Sequence, residues 1–271
     1  MKKLFIACLV VFAGFQITFA QERSEIKAEM KEQRDALIRE RQIQTQSAKK
    51  AGSAVTATDV GEPDSFGKNA LFLGTASAGV IIIDPTCAPA DIGPLGPDDR
   101  CITEPDPSVA ISQTFNDVGR ITIPGKSVAN VVYAIANHSL SFDVFNPNAN
   151  TVQGRFTYSP SVTIESEALN DPSLIDPTTG NPYNGSFTTG GLGTYFVTKS
   201  LASGASEFTT QSYSRANTIG FSRTFFAGLG LPANVIDQLY KKPMTIRLNV
   251  RVSARWVDSA TMLFSIRFLG N

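Results

Sequence analysis

The chain has 271 residues, with 24 lysines and arginines against 24 acids. Balanced charge argues against a general electrostatic nucleic-acid binder, which would carry a strong basic excess. One histidine and two cysteines expected to be bridged, Cys87 and Cys101, cannot build a usual zinc site, and no Walker loop or Gly-x-Ser-x-Gly elbow occurs.

The first element is a secretory signal peptide over residues 1–20. Lys2 and Lys3 form a basic start, residues 4–13 are apolar, and Thr18-Phe19-Ala20 offers small residues at the −3 and −1 positions. The apolar run is shorter than the ~20 residues that span a bilayer, and Gln16 interrupts it. Cys8 follows Phe5-Ile6-Ala7, with Phe where lipoprotein signals usually carry Leu, so lipidation is not expected. Cleavage after Ala20 removes two lysines and no acid, giving a net charge of −2. It also removes Cys8 and leaves Cys87 and Cys101. In an oxidising compartment these two are expected to pair, adding about 3 kcal/mol of stability by restricting the unfolded chain.

Residues 21–50 read as a charged helical leader or stalk. They hold no Gly or Pro, and Lys31/Asp35 and Asp35/Arg39 are favourable i,i+4 pairs. Ile26, Met30 and Leu37 begin an apolar seam that Gln33 and Glu40 break, so oligomerisation through 22–50 is the sharper alternative to a solvated helix. Residues 51–65 are a small, polar linker.

The remainder, 66–271, is expected to be one β domain. Gly79-Val80-Ile81-Ile82-Ile83 reads as a strand buried on both faces. Residues 84–107 carry six prolines, six acids and both cysteines, which predicts an irregular disulfide-bonded loop without ladder or helix. Val131, Tyr133 and Ile135 alternate, followed by Leu140, Phe142 and Val144, with His138 in a turn between the two strands. Phe156, Tyr158, Val162 and Ile164 share one phase, and Pro160 marks an edge or bulge. A turn-rich excursion spans 171–184. Short strands are expected near 194–198, 207–213 and 218–226, then a helix opened by Pro232 with Val235, Ile236, Leu239 and Tyr240 on one side.

Met244 through Trp256 alternate with period two, apolar at even positions, and Met262, Phe264, Ile266 and Phe268 keep the same phase. This predicts a C-terminal hairpin with a three-residue loop at 258–260, in which Trp256 faces Met262 and Val252 faces Ile266. The fold class that follows is mainly β: an antiparallel β-sandwich with an N-terminal charged helix after a cleaved signal peptide. A transmembrane β-barrel is the competing architecture. No integral membrane segment is expected after signal cleavage.

Chemistry is represented mostly by absences. Glu165 and Glu167, at i and i+2, would share a strand face and could act as an acid and a base, as in some glycosidases. A solvated face carrying two acids is the simpler reading. Calcium could be considered at Asp171, Asp176, Asn181 and Asn184, or at Asp84, Asp91, Asp98 and Asp99, but neither set has the spacing of a calcium loop. No metal or cofactor is expected. Arg247, Arg251 and Arg255 are the most specific polar feature, a stripe with about 13 Å between successive members. They are either an anion-contacting strip or one side of cross-strand pairing with Glu165 and Glu167.

The resulting expectation is an exported, non-catalytic β-sandwich protein, acting by binding or assembly in the periplasm, at the cell envelope or outside the cell. Its partner would be an envelope component, a glycan or another protein. A secreted polysaccharide-active enzyme and an outer-membrane β-barrel are the alternatives.

Overall fold

The computed structural model describes residues 71–271 except 78, 98 and 191, together with Ala28 and Glu32. The signal segment 1–20, the linker 51–65 and all but those two residues of the leader 21–50 lie outside the described residues.

The described chain is mainly β and forms two sheets. The strands are β1 (Leu71–Ser77), β2 (Ile81–Asp84), β3 (Arg100–Thr103), β4 (Ile111–Ile123), β5 (Val131–Phe145), β6 (Val152–Glu165), β7 (Ser186–Thr189), β8 (Tyr195–Leu201), β9 (Ser206–Ser222), β10 (Met244–Arg255) and β11 (Val257–Gly270). Sheet A runs β3-β2-β11-β5-β9, with β1 also on β11. Sheet B runs β4-β10-β6-β7, with β8 also on β6. Every pairing is antiparallel except β2 with β3.

Period-two alternation puts one face of each sheet inside, and the inward side chains of both merge into one core. Tyr158 of β6 meets Phe264 of β11 at 6.4 Å between ring centres, and Phe142 of β5 stacks on Phe156 of β6 at 6.3 Å. Short helices close one side. Ser222 caps α2 (Arg223–Gly228), its Oγ accepting the Phe225 N–H at 3.1 Å. Pro232 precedes α3 (Ala233–Lys241), which buries Val235, Ile236, Leu239 and Tyr240 as its spacing predicts.

Cys87 and Cys101 are disulfide-bonded. The bridge packs with Ile92 against Val80 and Ile82, on the side of β2 away from the main core, while Ile81 and Ile83 face that core. Strand β2 is thus buried on both faces. Asp84 helps shape the turn into the loop by accepting the N–H groups of Thr86 (2.9 Å) and Cys87 (3.0 Å).

Several expectations are corrected. The loop 84–107 contains regular structure: α1 (Pro89–Ile92), and β3 paired in parallel with β2. The prolines flank Arg100-Cys101-Ile102-Thr103 without entering it, so a four-residue ladder survives. His138 lies inside the single strand β5 rather than in a turn. The inward phase of β5 is Val132, Ala134, Ala136, Leu140, Phe142 and Val144, and Tyr133 is exposed on the other side. Residues 206–222 form one strand, and 223–228 are helical.

The C-terminal hairpin does not form. Strand β10 pairs with β4 and β6, and β11 with β1, β2 and β5. The chain crosses between sheets at half-buried Trp256, whose φ of +58° turns the backbone in one residue and whose N–H donates to the Pro107 carbonyl at 2.6 Å. Trp256 does not face Met262, and Val252 opposes Tyr158 and Gln113 instead of Ile266. The even phase is nonetheless buried in both strands, because each turns that phase toward the shared core from its own sheet.

Candidate functional site

The outward face of sheet B gathers the polar residues of three strands around β10. Odd-numbered positions of β10 point away from the core, and register pairing places odd residues of β6 beside them. Those neighbours are mostly hydroxyl residues: Thr163 beside Arg247, Ser159 beside Arg251 and Thr157 beside Ser253.

The two ends of this face differ. At one end Arg247 lies opposite Arg120 of β4, and both are neutralised. Arg247 Nη2 reaches Glu165 Oε1 at 2.5 Å, while Arg120 forms an ion pair with Asp117. In the middle a buried network spans the sheet. Asn249 Oδ1 accepts the Asp117 N–H at 2.9 Å, fixing a bulge where Asp117 has φ +56°. Its Nδ2 donates to Thr163 Oγ1 at 2.9 Å, and Thr163 meets the Thr188 hydroxyl at 2.7 Å. This network gives the bulged edge strand a single register.

At the other end the arginines are open. Arg251 is exposed and donates from Nε to Ser112 Oγ at 3.1 Å. Arg255 is exposed and donates from Nε to the Ser108 carbonyl at 3.2 Å. Arg155 of β6 lies directly opposite Arg255, also exposed, with Nε donating to Thr157 Oγ1 at 3.3 Å. Among the described residues none of the three has an acid within salt-bridge distance. Each is anchored through Nε, which holds the guanidinium while its two terminal nitrogens stay clear of acid. Next to them Phe196 of β8, register partner of Thr157, is 66% exposed.

The carboxylate pair does not share a strand face. Glu165 is the last residue of β6 and engages Arg247, whereas Glu167 opens a 3-10 turn and meets Lys242 Nζ at 3.4 Å. His138 is buried between the sheets, its ring 5.1 Å from that of Tyr158 and 4.7 Å from that of Tyr195. Burial lowers its pKa to about 4, so it is neutral at physiological pH and away from any surface chemistry. The aspartates considered for calcium serve turns: Asp171 accepts Ser173 N–H and Oγ–H, and Asp176 accepts Thr178 N–H and Thr179 Oγ1–H. Among the described residues no three His, Cys, Asp or Glu side chains gather as metal ligands.

Arg155 and Phe196 escaped the sequence reading. Arg155 was visible as an odd-phase residue beside Phe156, but only the register of β6 on β10 puts it opposite Arg255. Phe196 has no sequence signal separating it from a core aromatic, since Tyr195 and Val197 flank it and pack inward.

No family model matches the chain, and no curated protein matches it. Among solved structures, T=1 particles derived from infectious bursal virus align at 12% identity and TM-score 0.16, over 60% of this chain and 32% of that one. The T13 particle of the same virus aligns at 10% identity and TM-score 0.13, over 75% and 40%. The chain spans about a third of the first of these, and similarity this low carries no inference about fold or function.

Proposed function

We propose that this is an exported β-sandwich protein of the cell envelope or exterior that works by binding, with the open end of sheet B engaging an anionic polymer. The observation that carries the reading is the state of Arg251 and Arg255: exposed, anchored through Nε, and without an acid partner among the described residues. Arginines neutralised for structural reasons resemble Arg247 and Arg120, which supply the contrast on the same face. A catalytic carboxylate pair is disfavoured because Glu165 and Glu167 engage separate cations. An apolar interior and an arginine-rich outer face also oppose a lipid-facing barrel, whose exterior must be apolar.

Two measurements test the reading. Intact mass of envelope protein should match a chain beginning at Gln21 with no alkylatable thiol before reduction; retention of Met1 would remove the export step. Arg251→Glu should weaken retention on an immobilised anionic polysaccharide, and raising salt should weaken wild-type retention likewise. Arg251→Ala should change unfolding free energy by only about 0–1 kcal/mol, since an exposed arginine contributes little to the fold. Wild type that is not retained, or an Arg251→Glu variant retained as well as wild type, would count against sheet B as the binding face.

A further inference from the structure

We infer that Arg155, Arg255 and Phe196 together form a subsite for an acidic sugar residue, which rests on the reading of sheet B above and names its ligand class. Arg155 and Arg255 are register partners on adjacent strands. Like charges directly opposite one another destabilise a sheet. The same face shows how such a pair is relieved for structural ends: Arg247 and Arg120 also oppose each other, and each has its own acid. Arg155 and Arg255 have none among the described residues, so the repulsion remains until something from outside supplies negative charge.

The geometry selects that charge. Each Nε is already taken, Arg155 by Thr157 Oγ1 on its own strand and Arg255 by the Ser108 carbonyl on the β4 side of β10, which leaves the terminal nitrogens of both guanidinium groups available. Such planar forks, carried on neighbouring strands, suit the carboxylates of an acidic oligosaccharide, whose oxygens accept paired N–H donors. One row along the sheet, about 7 Å away, lies Phe196, 66% exposed among Thr157, Thr198 and Ser253. A flat aromatic ring there offers an apolar platform for the C–H face of a pyranose, and the neighbouring hydroxyls offer donors and acceptors for its substituents. A hexuronate presents both features on one residue, a carboxylate and a ring. An inorganic anion would use the arginine pair alone and leave Phe196 idle.

The experiment is a calorimetric titration of the full-length exported protein at low ionic strength, with tetragalacturonate, neutral cellotetraose and sodium sulfate as probes. Wild type should bind tetragalacturonate, and cellotetraose much more weakly. Arg155→Thr should weaken tetragalacturonate at least about tenfold, and should raise the ligand-free melting temperature at low salt by removing the repulsion. Phe196→Thr should weaken tetragalacturonate about tenfold while leaving any sulfate binding unchanged. The acidic-sugar subsite is overturned if either variant binds tetragalacturonate as wild type does, or if sulfate binds as tightly as the oligosaccharide. In those cases Arg251→Glu still reports separately on the wider anion-binding face, which falls only if wild type binds no anionic polymer or that variant is unaffected.

Discussion

Phe264→Ala should lower the unfolding free energy by about 3–5 kcal/mol, the cost of emptying a fully packed aromatic site. Phe264 is 1% exposed near the middle of β11, and its ring approaches Tyr158 from the opposite sheet. Truncation removes contacts that join the two sheets, and neighbours held in two separate ladders cannot close the void easily. Urea unfolding should show a lower midpoint with the slope unchanged, as expected when stability alters and the exposed area does not. Phe196→Thr supplies the control: a ring two-thirds in solvent should cost only about 0.5 kcal/mol or less. Equal losses at the two positions would contradict the assignment of inward and outward faces.

Acidification should destabilise the protein between pH 6.5 and about 4, and His138 should account for about 3 kcal/mol of the loss. Its folded pKa is depressed to about 4 by burial, against an ordinary value near 6.5. Between those values the unfolded chain binds the proton and the folded chain does not, so stability falls with pH. The contribution is complete above pH 6.5 and gone below pH 4. Glu104 works in the opposite direction. Burial raises its carboxyl pKa, so protonation at low pH favours the folded state. Comparing wild type with His138→Gln isolates the histidine, because Glu104 is common to both. Chemical unfolding at pH 7 and pH 4.5 should show a smaller difference for the variant; parallel losses would mean that His138 is not held neutral between Tyr158 and Tyr195.

The phases of β10 and β11 were readable from sequence because large apolar residues recur at every second position. Their partners were not. A shared even phase satisfies a hairpin, in which both strands turn one way within a sheet, and equally satisfies two sheets facing each other. Alternation reports which side is apolar and carries no information about which strand lies alongside. The positive φ at Trp256, which decides between the two, falls on a residue type that gives no warning of it. In β5 the cause is side-chain size. The inward positions Ala134 and Ala136 carry little apolar bulk, while the larger Tyr133 and Ile135 occupy the other side.

The arginine stripe was equally visible as a spacing, and the division within it was not. Whether an arginine is neutralised depends on residues such as Asp117 and Glu165, brought near it by a bulge and by a neighbouring strand. The Asn249–Asp117 contact joins positions 132 apart in the chain, beyond the reach of any local pattern.

The crossing at Trp256 has a consequence for the order of assembly. Strands β10 and β11 come last of the eleven, yet each occupies an interior place in its sheet. Among the described residues β4 pairs with β10 alone, and β1 and the β2–β3 pair join the rest of sheet A through β11 alone. A chain emerging from the ribosome therefore cannot complete either layer before β10 and β11 have been made.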